Sequence, residues 1–123
     1  MITIYACAHS GVKALAAARG AGLRLPEGGC RVIEAPCLGS VKKRDILAAL
    51  TPRGDRVLLI GCHPDNCNFV YGNKRCGRRV AALQADMQAL AIGPERVRLV
   101  YAAAVEGARC AALVEEFIKD GTA

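Results

Sequence analysis

The chain reads as a small α/β protein: a doubly wound parallel sheet of about four strands with flanking helices. Three observations predict it. Short runs rich in Val, Ile or Leu alternate with helical stretches through all 123 residues. Those runs are nearly continuous in hydrophobicity, as strands covered on both faces tend to be. Finally, Gly, Pro or polar turns punctuate the alternation, and no linker, low-complexity tract or repeat interrupts it, so one domain over 1–123 is expected. A frame of this size and order is of the Rossmann or flavodoxin-like kind.

The elements follow in turn. Strands are expected at Ile2–Ala6, Arg31–Ala35, Arg56–Ile60 and Arg96–Tyr101. Between them, Val12–Arg19 is an Ala-rich helix closed by Gly20 and Gly22, and Arg44–Leu50 is a helix stopped by Thr51-Pro52. Gly77–Leu90 carries Val80, Leu83, Met87 and Leu90 at helical spacing, and Ala108–Lys119 carries Leu113, Val114, Phe117 and Ile118. The pattern does not dictate strand order, but order 2-1-3-4 would bring the turns after the first three strands together at a topological switch point, where such sheets bind ligands.

Composition excludes several classes. A chain of this length buries a core without needing disulfides or metals to fold, yet it has seven cysteines, an odd number. Met1 leads straight into a strand with no basic leader, so a reducing cytoplasm is the expected setting. No apolar run approaches the ~20 residues of a membrane helix, so no membrane span is expected and the chain reads as soluble. The net charge is +6, but aromatics are 4% of residues and Trp is absent; no nucleic-acid partner is expected. The basic residues Lys42, Lys43, Arg44, Lys74, Arg75, Arg78 and Arg79 follow cysteine-bearing turns, where they would offset an anionic cofactor, meet an acidic partner or simply solvate helix faces.

Three strand-like runs each release a thiol at the C-terminal end: Cys7, Cys37 and Cys62, with Cys67 following in the same turn as Cys62. Four thiolates on one edge suggest a metal site, because thiolate is a soft ligand for zinc, copper(I) and iron–sulfur clusters. Structural zinc usually takes paired C-x₂₋₄-C knuckles, whereas only Cys62 and Cys67 are near neighbours here. Dispersed ligands suit the wider 2Fe–2S unit, and C-x₄-C also occurs in plant-type 2Fe–2S ligation. Gly11, Gly39 and Gly61 beside these ligands would let the backbone approach an anionic cluster, and the following helices would aim their positive N-termini at it. His63 is expected to set the turn or hydrogen-bond a sulfur; Rieske-like ligation would also need His9. Cys30 and Cys110 read as core, and Cys76, opening the helix after the Cys67 turn, as ligand, spare thiol or core. Two other functions stay open: a zinc-stabilised interaction module, and a thiol oxidoreductase or sulfur-transfer protein using Cys62 or Cys67 as nucleophile.

The run Gly61-Cys62-His63-Pro64-Asp65-Asn66-Cys67, continued by Asn68-Phe69-Val70-Tyr71-Gly72-Asn73 and Arg78-Arg79-Val80, resembles the signature of the iron–sulfur delta subunit of methyl-viologen-reducing hydrogenase. Cys7, Pro36-Cys37-Leu38-Gly39, Pro94–Leu99 and Glu106-Gly107 extend the resemblance over essentially the whole chain. It implies an electron-transfer subunit with one 2Fe–2S cluster, docked on the flavin/iron–sulfur subunit of a heterodisulfide-reductase-like complex and serving a hydrogenase or other oxidoreductase subunit. Related subunits occur in anaerobic metabolism, including class II benzoyl-coenzyme A reductase complexes. The chain departs from the family pattern at Ser10, where a second N-terminal cysteine is usual, and at Ser40, Asp65 and Asn68, while Cys76 is an added thiol.

Overall fold

A computed structural model describes residues 2–26, 28–50, 55–61, 72–90 and 93–120. The strands are β1 (Ile2–Cys7), β2 (Cys30–Ala35), β3 (Arg56–Gly61) and β4 (Val97–Tyr101); the helices are α1 (Gly11–Gly20), α2 (Lys43–Ala49), α3 (Gly72–Ala89) and α4 (Gly107–Asp120). Short 3-10 turns occupy Leu38–Ser40 and Pro94–Arg96. All strand pairs are parallel, in the order β2-β1-β3-β4. The chain leaves β1 toward β2 and leaves β3 toward β4, so the switch point lies between the C-terminal ends of β1 and β3.

Alternation along β3 splits the core into two layers. Val57 and Leu59 join Cys7, Leu38, Ile46, Val80, Leu83 and Met87 on the face covered by α2 and α3. Leu58 and Ile60 join Ile4, Leu15, Val100, Val114 and Phe117 on the face covered by α1 and α4. Every residue of β3 is buried, as its central place requires. On the second face Gly107 is needed where α4 meets α1: a Cβ there would lie 2.8 Å from Ala17 Cβ and 2.9 Å from its carbonyl carbon. At the far end of the sheet the guanidinium of Arg56 stacks 3.8 Å from the Phe117 ring centroid.

Three expectations need correction. The second strand is not covered on both faces: Arg31, Val32, Ile33 and Glu34 are exposed, because β2 is an edge strand that the helix layers do not reach. The third helix starts at Gly72 rather than Gly77, which puts Cys76 in its second turn rather than at its opening. Arg96 belongs to the Pro94–Arg96 turn, and β4 begins at Val97. Among the described residues no helix is long and apolar enough to cross a membrane.

Candidate metal centre at the sheet edge

Parallel register brings the ends of three strands into line. Cys7 pairs with Ala35, two residues before Cys37, and β3 ends at Gly61, whose next residue is Cys62. Cys62, His63 and Cys67 themselves lie outside the described residues, as does the Phe69-Val70-Tyr71 run. Of the expected ligands, Cys7 and Cys37 are therefore the two whose surroundings can be given. Both are buried thiols where a strand gives way to the following turn, on one edge.

Cys7 meets the start of α1. Burial pushes its thiol up, but the N–H groups of Ser10, His9 and Gly11, together with the Ser10 hydroxyl, push it down and prevail, so it titrates below the ordinary thiol value. Gly11 makes this approach possible. A Cβ at that position would run into the Ile60 carbonyl oxygen and lie 3.2 Å from the Ile60 carbonyl carbon and 3.3 Å from that of Ala6. The helix thus starts flush against β1 and β3, directly over the switch point. Gly61 is buried, and its carbonyl accepts from Ala102 N–H at 2.9 Å.

Cys37 opens its turn in extended conformation, and its sulfur accepts from Gly39 N–H at 3.4 Å. Ser40 closes the turn: its Oγ donates to the Cys37 carbonyl at 2.6 Å and its N–H at 2.9 Å. The guanidinium of Arg79, from the second turn of α3, donates to the carbonyls of Gly39 and Val41. That structural role is not among the countercharge, acidic-partner and solvated-face roles that the sequence suggests for Arg79. Beyond this clamp the chain descends, and Lys43 pairs with Asp86 at 3.2 Å, far along α3. Lys43 is thus engaged away from the cysteines, while Arg75 and Arg78 are both exposed on the first turns of α3.

The remaining thiols separate cleanly. Cys76 is fully buried on the α2/α3 face; burial raises its pKa to about 11, eased by Arg79 and reinforced by neighbouring Cys37. Tyr101, whose own pKa is raised by burial and then by Cys76, packs on the same side. Cys110 is fully buried with Val114 and Phe117 on the other face, as its sequence context suggests. Cys30 begins β2 at the opposite end of the sheet. Among the described residues no three His, Cys, Asp or Glu side chains gather to hold a metal ion.

The donor set fits an anionic, thiolate-bound group. It has a buried thiol favoured as thiolate and a second buried thiol bonded to a backbone N–H. Fold and site together define a small doubly wound α/β domain with two buried cysteines, Cys7 and Cys37, at the carboxyl edge of the sheet. The chain belongs to the family described as methyl-viologen-reducing hydrogenase, delta subunit, whose model matches residues 2–121.

Individual relatives agree. Over 87 residues, 71% of this chain, it is 38% identical to an iron–sulfur subunit of the F420-non-reducing hydrogenase of Archaeoglobus profundus. Over 86 residues, 70% of the chain, it is 34% identical to the vhu iron–sulfur subunit of the F420-non-reducing hydrogenase of Methanopyrus kandleri. The matched segments are 64% and 65% of those two proteins, so the chain spans slightly under two thirds of their length. It is also 32% identical over 90 residues, 73% of the chain, to one subunit of the ferredoxin/F420H2-dependent CoB-CoM heterodisulfide reductase of Methanosarcina acetivorans, where the match covers 11% of the relative.

Proposed function

We propose that residues 1–123 form a single electron-transfer domain carrying one 2Fe–2S cluster, held by Cys7, Cys37, Cys62 and Cys67, with Gly11, Gly39, Gly61 and His63 shaping its surroundings. When bound, such a cluster accepts and returns one electron. The protein's part is to hold and shield it. The start of α1 directs N–H groups toward the Cys7 sulfur, Gly39 N–H bonds the Cys37 sulfur, and Arg79 fixes the Cys37 turn. The observation that supports this reading is the alignment of Cys7, Cys37 and Gly61, the last residue of β3, on one edge of the sheet at the β1/β3 switch point.

The domain relays electrons between the flavin/iron–sulfur subunit of a heterodisulfide-reductase-like complex and a hydrogenase or other oxidoreductase subunit, in a reducing cytoplasm. Two relatives named as iron–sulfur subunits support the cofactor. A stretch resembling this chain, built into a much larger heterodisulfide reductase polypeptide, supports the partner. His9 and Pro36 are exposed beside the thiols, so a cofactor there lies within reach of a docked neighbour. Serine substitution of each proposed ligand tests the set. Cys7→Ser, Cys37→Ser, Cys62→Ser and Cys67→Ser should each abolish or sharply bleach the visible chromophore while far-UV circular dichroism stays near wild type. Full iron retention in any of them would remove that residue from the set.

A further inference from the structure

Arg56 opens β3 at the end of the sheet opposite the cysteines, and alternation turns its side chain to the α1/α4 face with Leu58 and Ile60. The residue is only 7% exposed, and its guanidinium lies 3.8 Å from the ring centroid of the fully buried Phe117. A second guanidinium shares that ring. Arg98, paired with Leu58 across β4, is 5.3 Å from the same centroid. Arg98 has a carboxylate, since its Nη2 donates to Asp120 at 2.8 Å. For Arg56 the described residues supply no such acceptor: both its terminal nitrogens are buried without a hydrogen-bond partner. Burial, and then the like charge of Arg98, pull its pKa below the ordinary arginine value despite Asp120 and Glu95. An arginine does not escape by losing its proton, and a buried charge without a counterion is costly, so this one calls for an anion.

We infer that Arg56 and Arg98 form an anion-binding site at the amino end of the sheet, taking one small oxyanion of the carboxylate or phosphate class. Planar guanidinium forks match the paired oxygens of such groups, and stacking on one ring keeps both forks close together. Access is through the Arg98–Asp120 pair, whose side chains are 29% and 45% exposed. The incoming oxyanion displaces the Asp120 carboxylate from Arg98 and bridges the two forks; no covalent bond changes. The site stands apart from the cluster reading, because the rise of β3, about 16 Å, separates it from the cysteine edge and no thiol takes part.

The test is isothermal titration calorimetry of the full chain, purified without oxygen and held at constant ionic strength, with acetate and inorganic phosphate as probes. Wild type should take up one equivalent of at least one probe saturably, and its Tm should rise over the same concentrations. The preferred probe distinguishes a carboxylate from a phosphate ligand. Arg56→Met should abolish the binding while far-UV circular dichroism stays near wild type. Arg56→Lys, which keeps the charge but not the fork, should weaken it by roughly tenfold, the loss of about one charge-assisted hydrogen bond. Asp120→Asn removes the competing carboxylate and should tighten it. Equal binding by wild type and Arg56→Met would show an adventitious ion only and overturn the inference, as would wild type that binds neither probe saturably. Should Arg56→Met fail to fold, Asp120→Asn decides: binding no tighter than wild type would show that the oxyanion does not enter between the two arginines. None of these readouts depends on iron, so the cluster reading stands or falls separately.

Discussion

Replacing Gly11 by alanine tests the geometry on which the site depends. The added methyl would collide with the Ile60 carbonyl oxygen and sit 3.2 Å and 3.3 Å from the carbonyl carbons of Ile60 and Ala6. These obstacles are backbone atoms of the two central strands, so no side chain can swing aside, and α1 must lift from the sheet. Overpacking of a core costs about 1–3 kcal/mol, and backbone obstacles put this case near the upper end, about 3 kcal/mol. With about 2.1 cal/mol/K of unfolding entropy per residue, a chain of 123 residues should lose roughly 12 °C in Tm. The control is Gly20→Ala at the end of the same helix, where no atom lies within 4 Å of the new methyl. There alanine should be neutral or stabilising by ~0.5–1 kcal/mol. Thermal unfolding of both variants, followed by circular dichroism on the metal-free chain, measures the difference. If Gly11→Ala melts within about two or three degrees of wild type, far short of the shift that overpacking implies, α1 does not start flush against β1 and β3, and the placement of its N–H groups over Cys7 falls with it.

Other outcomes follow from the same geometry. Arg79→Met removes the donor to the Gly39 and Val41 carbonyls and should cost about 2 kcal/mol; hydrogen exchange should quicken at the Ser40 and Val41 amides, and unchanged protection there would deny the clamp. Cys110→Ala and Cys30→Ala should leave the chromophore intact, since one thiol is in the α1/α4 core and the other at the opposite end of the sheet; bleaching in either would expose a ligand mistaken for packing. Cys76 gives a pH signature in the metal-free chain. Its folded pKa of about 11 exceeds the ordinary 9.0, so the stability it lends is present below pH 9 and lost as pH rises toward 11, on the order of 2 kcal/mol. Urea midpoints of wild type and Cys76→Ala should converge across that window, and parallel curves would show that Cys76 does not titrate there.

Much of the fold was legible in the sequence because central strands leave a clear signature. Val57 through Ile60 are apolar and fully buried, and their alternation assigns each helix to a face. Val32 and Ile33 carry the same signature yet stand exposed, because a hydrophobic run cannot reveal whether its strand lies at the centre or the edge of a sheet. The start of α3 was hidden differently. Gly77 reads as a helix boundary, but it lies inside the helix facing the Tyr101 hydroxyl, and Arg79 ties those turns to the Cys37 loop. In the site, Cys7 and Cys37 could be placed because each ends an apolar run. Ser10 could not be read the same way, since a serine before a helix ordinarily signals a cap, yet its side chain makes no capping bond.

The most direct measurement is metal and sulfide analysis of the anaerobically purified chain, with electron paramagnetic resonance spectra before and after dithionite. About two irons and two acid-labile sulfides per chain, silent when oxidised and giving an S = 1/2 signal when reduced, is the expected result. Stoichiometric zinc without sulfide, or a metal-free chain with reactive thiols, would contradict the electron-transfer assignment.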